Sequence, residues 1–303
     1  MLIHHKSVLP TQLLENFKPT STDSLMIDCT CGEGGHSELF LENFPNLKVI
    51  GIDRDKNILE KASKRLEKYG DRFKAVNSWF DAYLENYDNK APHLILFDLG
   101  ISVYHYEESL RGFSFAKDEK LDMRLDTNQT LSAETIVNTY EEKELADLIF
   151  HYSEERYSRK IARNIVNERS SNPITTTKEL QEIINRSVPP NYRYGRINPA
   201  TRTFQALRIE VNSELKRITP SVRKAIDLLE EGGKVAVISF HSLEDRQVKH
   251  LFKELERTRN NEDGIIKILT KKPLVPTEQE VEENRPSRSS KLRIAQKLEV
   301  NNG

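Results

Sequence analysis

The sequence predicts an α/β chain: a doubly wound, mostly parallel sheet with an all-α segment inserted into it. Three observations predict this. Short apolar runs at 25–27, 49–52, 73–76, 94–97 and 235–240 read as buried parallel strands, because a strand covered on both faces is apolar at nearly every position. Helical patterns separate the early runs, as at residues 57–68, so β and α alternate as far as Gly100. The alternation then stops. Residues 107–214 carry helical patterns at 141–150, 155–167 and 178–185 but no convincing buried strand, and strand character resumes at Val235. The expected division is a discontinuous domain of residues 1–106 and 215–303, interrupted by a helical domain of residues 107–214.

The first run, Leu25-Met26-Ile27, ends at Asp28. A turn with Gly32, Gly34 and Gly35 follows, and an amphipathic helix starts near His36. The second run, Val49-Ile50-Gly51-Ile52, ends at Asp53. This order of strand, glycine turn, helix, strand and acid is the plan of a nucleoside-cofactor site. Glycines let the backbone approach a ligand, helix N-terminal amides face an anion, and the acid accepts from ribose hydroxyls. The dinucleotide fingerprint asks for a third glycine where this chain has Ser37. The tighter spacing suits a ligand without a pyrophosphate, with S-adenosylmethionine the leading choice. A nucleotide-dependent oxidoreductase, or a glycine turn with no cofactor, stays open on this signal alone.

Further along, Thr176-x-x-Glu179 reads as a capping box and Ser242-x-x-Asp245 as an N-terminal cap for a helix over 243–256. Runs at 265–269 and 292–298 are expected to form a closing strand pair.

Bulk properties narrow the class. A chain of 303 residues suits one or two domains, and a net charge of -1 gives no global nucleic-acid signal. Cys29 and Cys31 are too close to favour a disulfide and read as small buried residues at a strand end; a metal site with His36 is the weaker alternative. The N-terminal residues lack a signal-peptide apolar core and no apolar run spans a bilayer, so a cytoplasmic protein without membrane contact is expected. Charge is unevenly placed: residues 151–217 hold 13 Lys/Arg against 7 Asp/Glu, a local +6 on a chain of -1. Arg156, Arg159, Lys160 and Arg163 recur at helical spacing as a basic stripe, extended by Arg186, Arg193, Arg196, Arg202 and Arg208. Tyr192 and Tyr194 interleave with these arginines, which suits phosphate contact and base stacking; a solvated helix face is the plainer reading.

Ligands of doubly wound sheets sit at the carboxyl ends of the strands, where Asp28, Asp53 and Asp98 all fall. Asp28 is expected to organise the glycine turn. Methyl transfer needs alignment more than a strong base. An exocyclic base amine, its lone pair delocalised into the ring, also needs an acceptor for an N–H, and Asp98 is the candidate. Asp98-Leu99-Gly100 lacks the proline-aromatic string common in amino-methyltransferases; Tyr104, Phe113 and Phe115 are the candidate substitutes for its aromatic.

Several strings go beyond general chemistry: Cys31-Gly32-Glu33-Gly34-Gly35-His36-Ser37, Arg111-Gly112-Phe113-Ser114-Phe115, Leu121-Asp122-Met123-Arg124, Pro199-Ala200-Thr201-Arg202-Thr203-Phe204-Gln205-Ala206-Leu207-Arg208, Ile238-Ser239-Phe240-His241-Ser242-Leu243-Glu244-Asp245-Arg246 and Arg288-Ser289-Ser290-Lys291-Leu292-Arg293. From about His5 to Leu298 the chain closely resembles the RsmH (MraW) family, bacterial methyltransferases acting on N4 of a cytidine in 16S ribosomal RNA. The resemblance implies a class I S-adenosylmethionine-dependent methyltransferase domain, a helical substrate-recognition insert, and 16S rRNA within the small ribosomal subunit as partner. Monomer or homodimer stays open. By position it implies cofactor contacts at Gly34, Gly35, His36, Asp53, Phe80 and Asp98, with His105 standing where the family has glutamine. Asp98 and Asp122 are the candidate catalytic carboxylates; Arg156, Arg159, Lys160, Arg163 and Arg202 are the candidate RNA contacts. Arg124 is expected either to position cytosine or to pair with Asp126.

Overall fold

The computed structural model describes residues 6–19, 21, 23–195, 198–258 and 261–299; His5 and Arg196 lie outside them. The chain divides into two compact units, Met1–Ile101 with Leu215–Gly303, and Ser102–Glu214.

The first unit runs α1 (Pro10–Asn16), β1 (Leu25–Asp28), α2 (Gly35–Asn43), β2 (Lys48–Asp53), α3 (Lys56–Leu66), β3 (Phe73–Asn77), α4 (Phe80–Glu85) and β4 (Leu94–Asp98). The second runs α5 (Val103–Glu107), α6 (Ala133–Thr139), α7 (Glu142–Ser153), α8 (Ser158–Arg169), α9 (Thr177–Ser187), α10 (Pro190–Arg193) and α11 (Pro199–Asn212). From α12 (Glu214–Leu228) the chain returns to the first unit with β5 (Lys234–Ser239), α13 (Ser242–Leu255), β6 (Ile266–Ile268), α14 (Glu278–Glu283) and β7 (Lys291–Lys297).

The seven strands of the described residues form one sheet in the order β3-β2-β1-β4-β5-β7-β6. The first five pair in parallel; β7 pairs antiparallel with β5 and β6, forming the closing pair read from the sequence. Alternate side chains of each strand enter two different cores, as the period-two geometry of a strand requires. Ile27, Ile95, Phe97, Val235 and Val237 pack with Val222 and Ile226 of α12 and Phe252 of α13. Met26, Leu94, Leu96, Ala236 and Ile238 pack with Leu13 of α1 and Phe40 of α2. Burial on both faces is why these strands are apolar throughout. Residues 73–76 differ from that expectation: β3 is the sheet edge, and Lys74 and Ala75 are exposed.

In the helical unit α7 packs on α8 and α11, burying Leu145, Ile149, Ile161, Ile165 and Leu207. The only strand-like pairing among its described residues is an isolated bridge, Lys120 to Thr176. Thr176 caps α9 with the reciprocal Glu179 bond read from the sequence. At α13 the expected cap is corrected. His241, not Ser242, is the N-cap: its Nδ1 accepts from the Glu244 amide, and the Glu244 carboxylate accepts from the Phe240 and His241 amides. Asp245 turns to Arg293 instead, accepting at 2.7 and 3.2 Å.

Candidate active site

Asp28, Asp53 and Asp98 end β1, β2 and β4, so the parallel register brings three carboxylates to one end of the sheet. Each is held differently. Asp28 is fully buried and accepts from the Ser37 hydroxyl at 2.8 Å and the Thr30 amide at 3.3 Å. Burial pushes its carboxyl above the ordinary range, against the pull of His36 and these bonds. Its role is to organise the turn. Ser37 occupies the third fingerprint position because its hydroxyl closes this bond, which a glycine cannot do.

Asp53 straps the turn to β2. One oxygen accepts from the Gly32 amide at 2.9 Å, the other from the Asp55 amide at 2.8 Å. Gly32 and Gly34 have φ of 54° and 79°, the left-handed region that disfavours a side chain. At Gly34 a Cβ would also lie 2.9 Å from Leu66 Cδ1. Gly34 is the N-cap of α2, and no side chain caps that helix. Its first amides are therefore the kind of donors that receive a ligand carboxylate. Phe80 opens α4 beyond β3, its ring edge-on to Phe97 at 5.6 Å.

His36 is used in a way the sequence did not show. Its Nε2 bonds the Val8 carbonyl at 2.9 Å, and its Nδ1 lies 3.5 Å from Asp98 Oδ2. Both ring nitrogens are engaged, so what His36 can offer a ligand is its backbone amide. Asp98 Oδ1 is buried with no hydrogen-bond partner among the described residues. Burial raises the Asp98 pKa to about 6; His36 opposes that rise, while Asp28 and Glu244 add to it. The Asp98 amide donates to Thr30 Oγ1 at 2.6 Å, tying the end of β4 to the glycine turn. Cys29 and Cys31 are buried free thiols, and burial pushes both well above their usual range.

In the helical unit, His105 is buried with its ring 5.3 Å from Phe113 and 5.4 Å from Tyr104. Phe115 packs on Phe204 at 5.2 Å. Asp122 accepts twice from the Arg124 side chain, both at 2.8 Å, and once from its amide at 3.0 Å. Burial raises the Asp122 pKa, but these bonds outweigh it and hold the carboxyl below its usual range. Arg124 therefore pairs with Asp122, and it braces the loop further through the Thr127 and Gln129 carbonyls. This engagement fits Asp122 for holding structure more than for touching substrate.

The basic stripe is not uniform. Arg159 lies 3.8 Å from Asp147, Arg163 3.4 Å from Glu142 and Arg186 3.0 Å from Glu168. Arg208 does not belong to a basic surface: it is buried and bidentate to Glu214 at 2.9 Å, with Tyr106 Oη at 2.8 Å. Arg156 and Lys160 have no such acidic partner among the described residues, Arg202 lies 3.7 Å from the buried Glu155, and Arg156 lies over Tyr192 at 4.5 Å.

A doubly wound sheet with an uncapped glycine turn after its first strand, and a carboxylate strapping that turn after its second, defines a nucleoside-cofactor enzyme fold. The chain belongs to the MraW methylase family, whose model matches residues 2–298. It is similar to proteins named ribosomal RNA small subunit methyltransferase H. That of Treponema denticola is 48% identical, covering 97% of this chain and 98% of its own. That of a Sulfurihydrogenibium species is 46% identical over 98% and 100%, and that of a Nostoc species 46% identical over 98% and 93%. Among the described residues no helix is long and apolar enough to cross a membrane.

Proposed function

We propose that this chain transfers a methyl group from S-adenosylmethionine to the exocyclic N4 amine of a cytidine in the decoding region of 16S rRNA, within the small ribosomal subunit. Family membership and the relatives' names support the reaction class and the RNA. The observation that carries the chemistry is Asp98: a carboxylate at a strand end beside the glycine turn, with one buried oxygen that no described residue bonds.

The donor set fits the cofactor. The left-handed Gly32 and Gly34 keep side chains out of the turn, and the uncapped α2 amides of Gly35 and His36 match an amino-acid carboxylate. Asp53, at the end of β2, matches ribose hydroxyls, since each carboxylate oxygen accepts at two lone pairs. Phe80 supplies an apolar wall. When bound, S-adenosylmethionine supplies an electrophilic sulfonium methyl.

Asp98 Oδ1 accepts an N–H of the cytosine amine, which draws the nitrogen lone pair out of conjugation and holds it for in-line attack. A carboxyl near pKa 6 is ionised at neutral pH, yet takes the departing proton more readily than an ordinary carboxylate. His36 keeps Oδ2 occupied, so the accepting oxygen is Oδ1. The helical unit supplies the RNA contacts through Arg156, Lys160 and Arg202, whereas Arg159 and Arg163 are taken up by Asp147 and Glu142 of α7.

Methyl-labelled S-adenosylmethionine with naked rRNA, assembled small subunits or duplex DNA tests this. Label in N4-methylcytidine from subunits is expected; transfer to DNA alone would sink the RNA assignment.

A further inference from the structure

We infer that Arg156, Tyr157, Tyr192 and Arg202, gathered around the buried Glu155, form a stacking seat for one unpaired nucleotide of the RNA. The inference rests on the RNA reading proposed above and adds where and how the strand is gripped.

The seat is built from the inside outward. Glu155 is fully buried just before α8. One of its oxygens accepts from the Tyr157 amide at 2.8 Å, the other from Tyr192 Oη at 2.7 Å. Tyr192 Oη in turn accepts from Arg202 Nη1 at 2.8 Å, and that nitrogen lies 3.7 Å from Glu155. Glu155 thus fixes the ring of Tyr192, and Tyr157 meets that ring edge-on at 4.8 Å. The Arg156 guanidinium lies over both rings, 4.5 Å from the Tyr192 centroid and 5.1 Å from Tyr157.

Arg156 is exposed and has no carboxylate partner among the described residues. Arg156 stands in the turn just before α8 and not on the helix that the sequence pattern suggested; on α8 Arg159 and Arg163 face acids of α7, so the unbalanced charge of the row lies at Arg156 and Lys160. A guanidinium already lying on tyrosine is a planar cation held in place before any ligand arrives. Nucleobases stack on such planes and on aromatic rings, and ordering the cation beforehand lowers the entropic cost of binding. Two arginines against one buried carboxylate leave the cluster cationic, which suits the phosphate flanking a stacked base. A solvated ion-pair row needs neither the tyrosine scaffold nor the buried carboxylate.

The test compares Arg156→Ala, Arg156→Lys and Arg163→Ala in the whole protein, with thermal melts and cofactor binding as folding controls. The readouts are KM and kcat on small subunits and the salt dependence of affinity for a fluorescent single-stranded RNA. Arg156→Ala is expected to raise KM by about 5- to 150-fold with kcat nearly unchanged, the range for loss of one base stack. Arg156→Lys keeps the salt slope but not the affinity, and Arg163→Ala changes KM by less than about twofold, as for an exposed pair. Equal small losses in Arg156→Ala and Arg163→Ala, or full rescue by lysine, would overturn the seat while the RNA reading stands. A wild-type protein that binds cofactor but leaves subunits unmethylated would overturn both.

Discussion

His36 Nδ1 stands 3.5 Å from Asp98 Oδ2 while its Nε2 holds the Val8 carbonyl at 2.9 Å. Because the carbonyl only accepts, the ring hydrogen sits on Nε2, and Nδ1 is left facing the carboxyl. His36 thereby opposes the rise that burial imposes on the Asp98 pKa, while Asp28 and Glu244 add to it.

The rate should report that influence on Asp98. Asp98 must be ionised to accept the amine, so kcat/KM is expected to fall tenfold per pH unit below about 6. His36 pulls the Asp98 pKa down, so His36→Gln should move the break to higher pH. A pH–rate profile across that range checks both; a break that stays put in His36→Gln contradicts the coupling.

The same carboxylate should weaken the fold at neutral pH. Its folded pKa is raised from 3.8 to about 6, so its contribution to stability is full below the unfolded value and lost as pH rises through 6. The loss amounts to at most on the order of 3 kcal/mol, for a side chain only 18% exposed. Asp98→Asn is therefore expected to raise Tm near pH 7, with the gain vanishing near pH 4. Calorimetric melts at the two pH values measure this.

Gly34→Ala should damage the turn and the ligand site together. A left-handed alanine costs roughly 1–2 kcal/mol, and its methyl would meet Leu66 Cδ1 at 2.9 Å. Urea unfolding is expected to show the stability loss, and titration with S-adenosylmethionine a weaker Kd than wild type.

Glu214→Ala removes the bidentate carboxylate from the Arg208 guanidinium, which is only 9% exposed. Removing one partner of a buried pair costs about 3–5 kcal/mol. Denaturant melts should show a loss of that size, whereas Glu142→Ala, partner of the exposed Arg163, should cost less than about 1 kcal/mol.

Much of this molecule is legible in the sequence because its physics is local. Strands β1, β2, β4 and β5 read as apolar runs because both their faces are buried, and the Thr176 box carries its own three-residue signature. The glycine turn is equally local. What stayed hidden depends on partners distant in sequence. The β3 run looks like its neighbours, yet pairs on one side only. Arg159 and Arg163 look like a free cationic face until α7 places Asp147 and Glu142 beside them. Arg208 looks like part of that face until Glu214 buries it. His241 escaped as a cap because histidine caps through a ring nitrogen rather than the usual short oxygen side chain. The engagement of both His36 nitrogens needed Val8, before α1, and Asp98, at the end of β4, brought to one side chain by the fold.

The role of Asp98 in N4 methylation is tested most directly by nucleoside mass spectrometry on small subunits incubated with S-adenosylmethionine and either the wild-type protein or Asp98→Asn, with cofactor affinity measured for both. N4-methylcytidine is expected with wild type. Asp98→Asn is expected to lose at least about 100-fold, the scale of a lost acid–base group, with cofactor affinity kept within about tenfold. Methylation on a different nucleoside, or near-normal N4-methylcytidine from Asp98→Asn, would contradict that role.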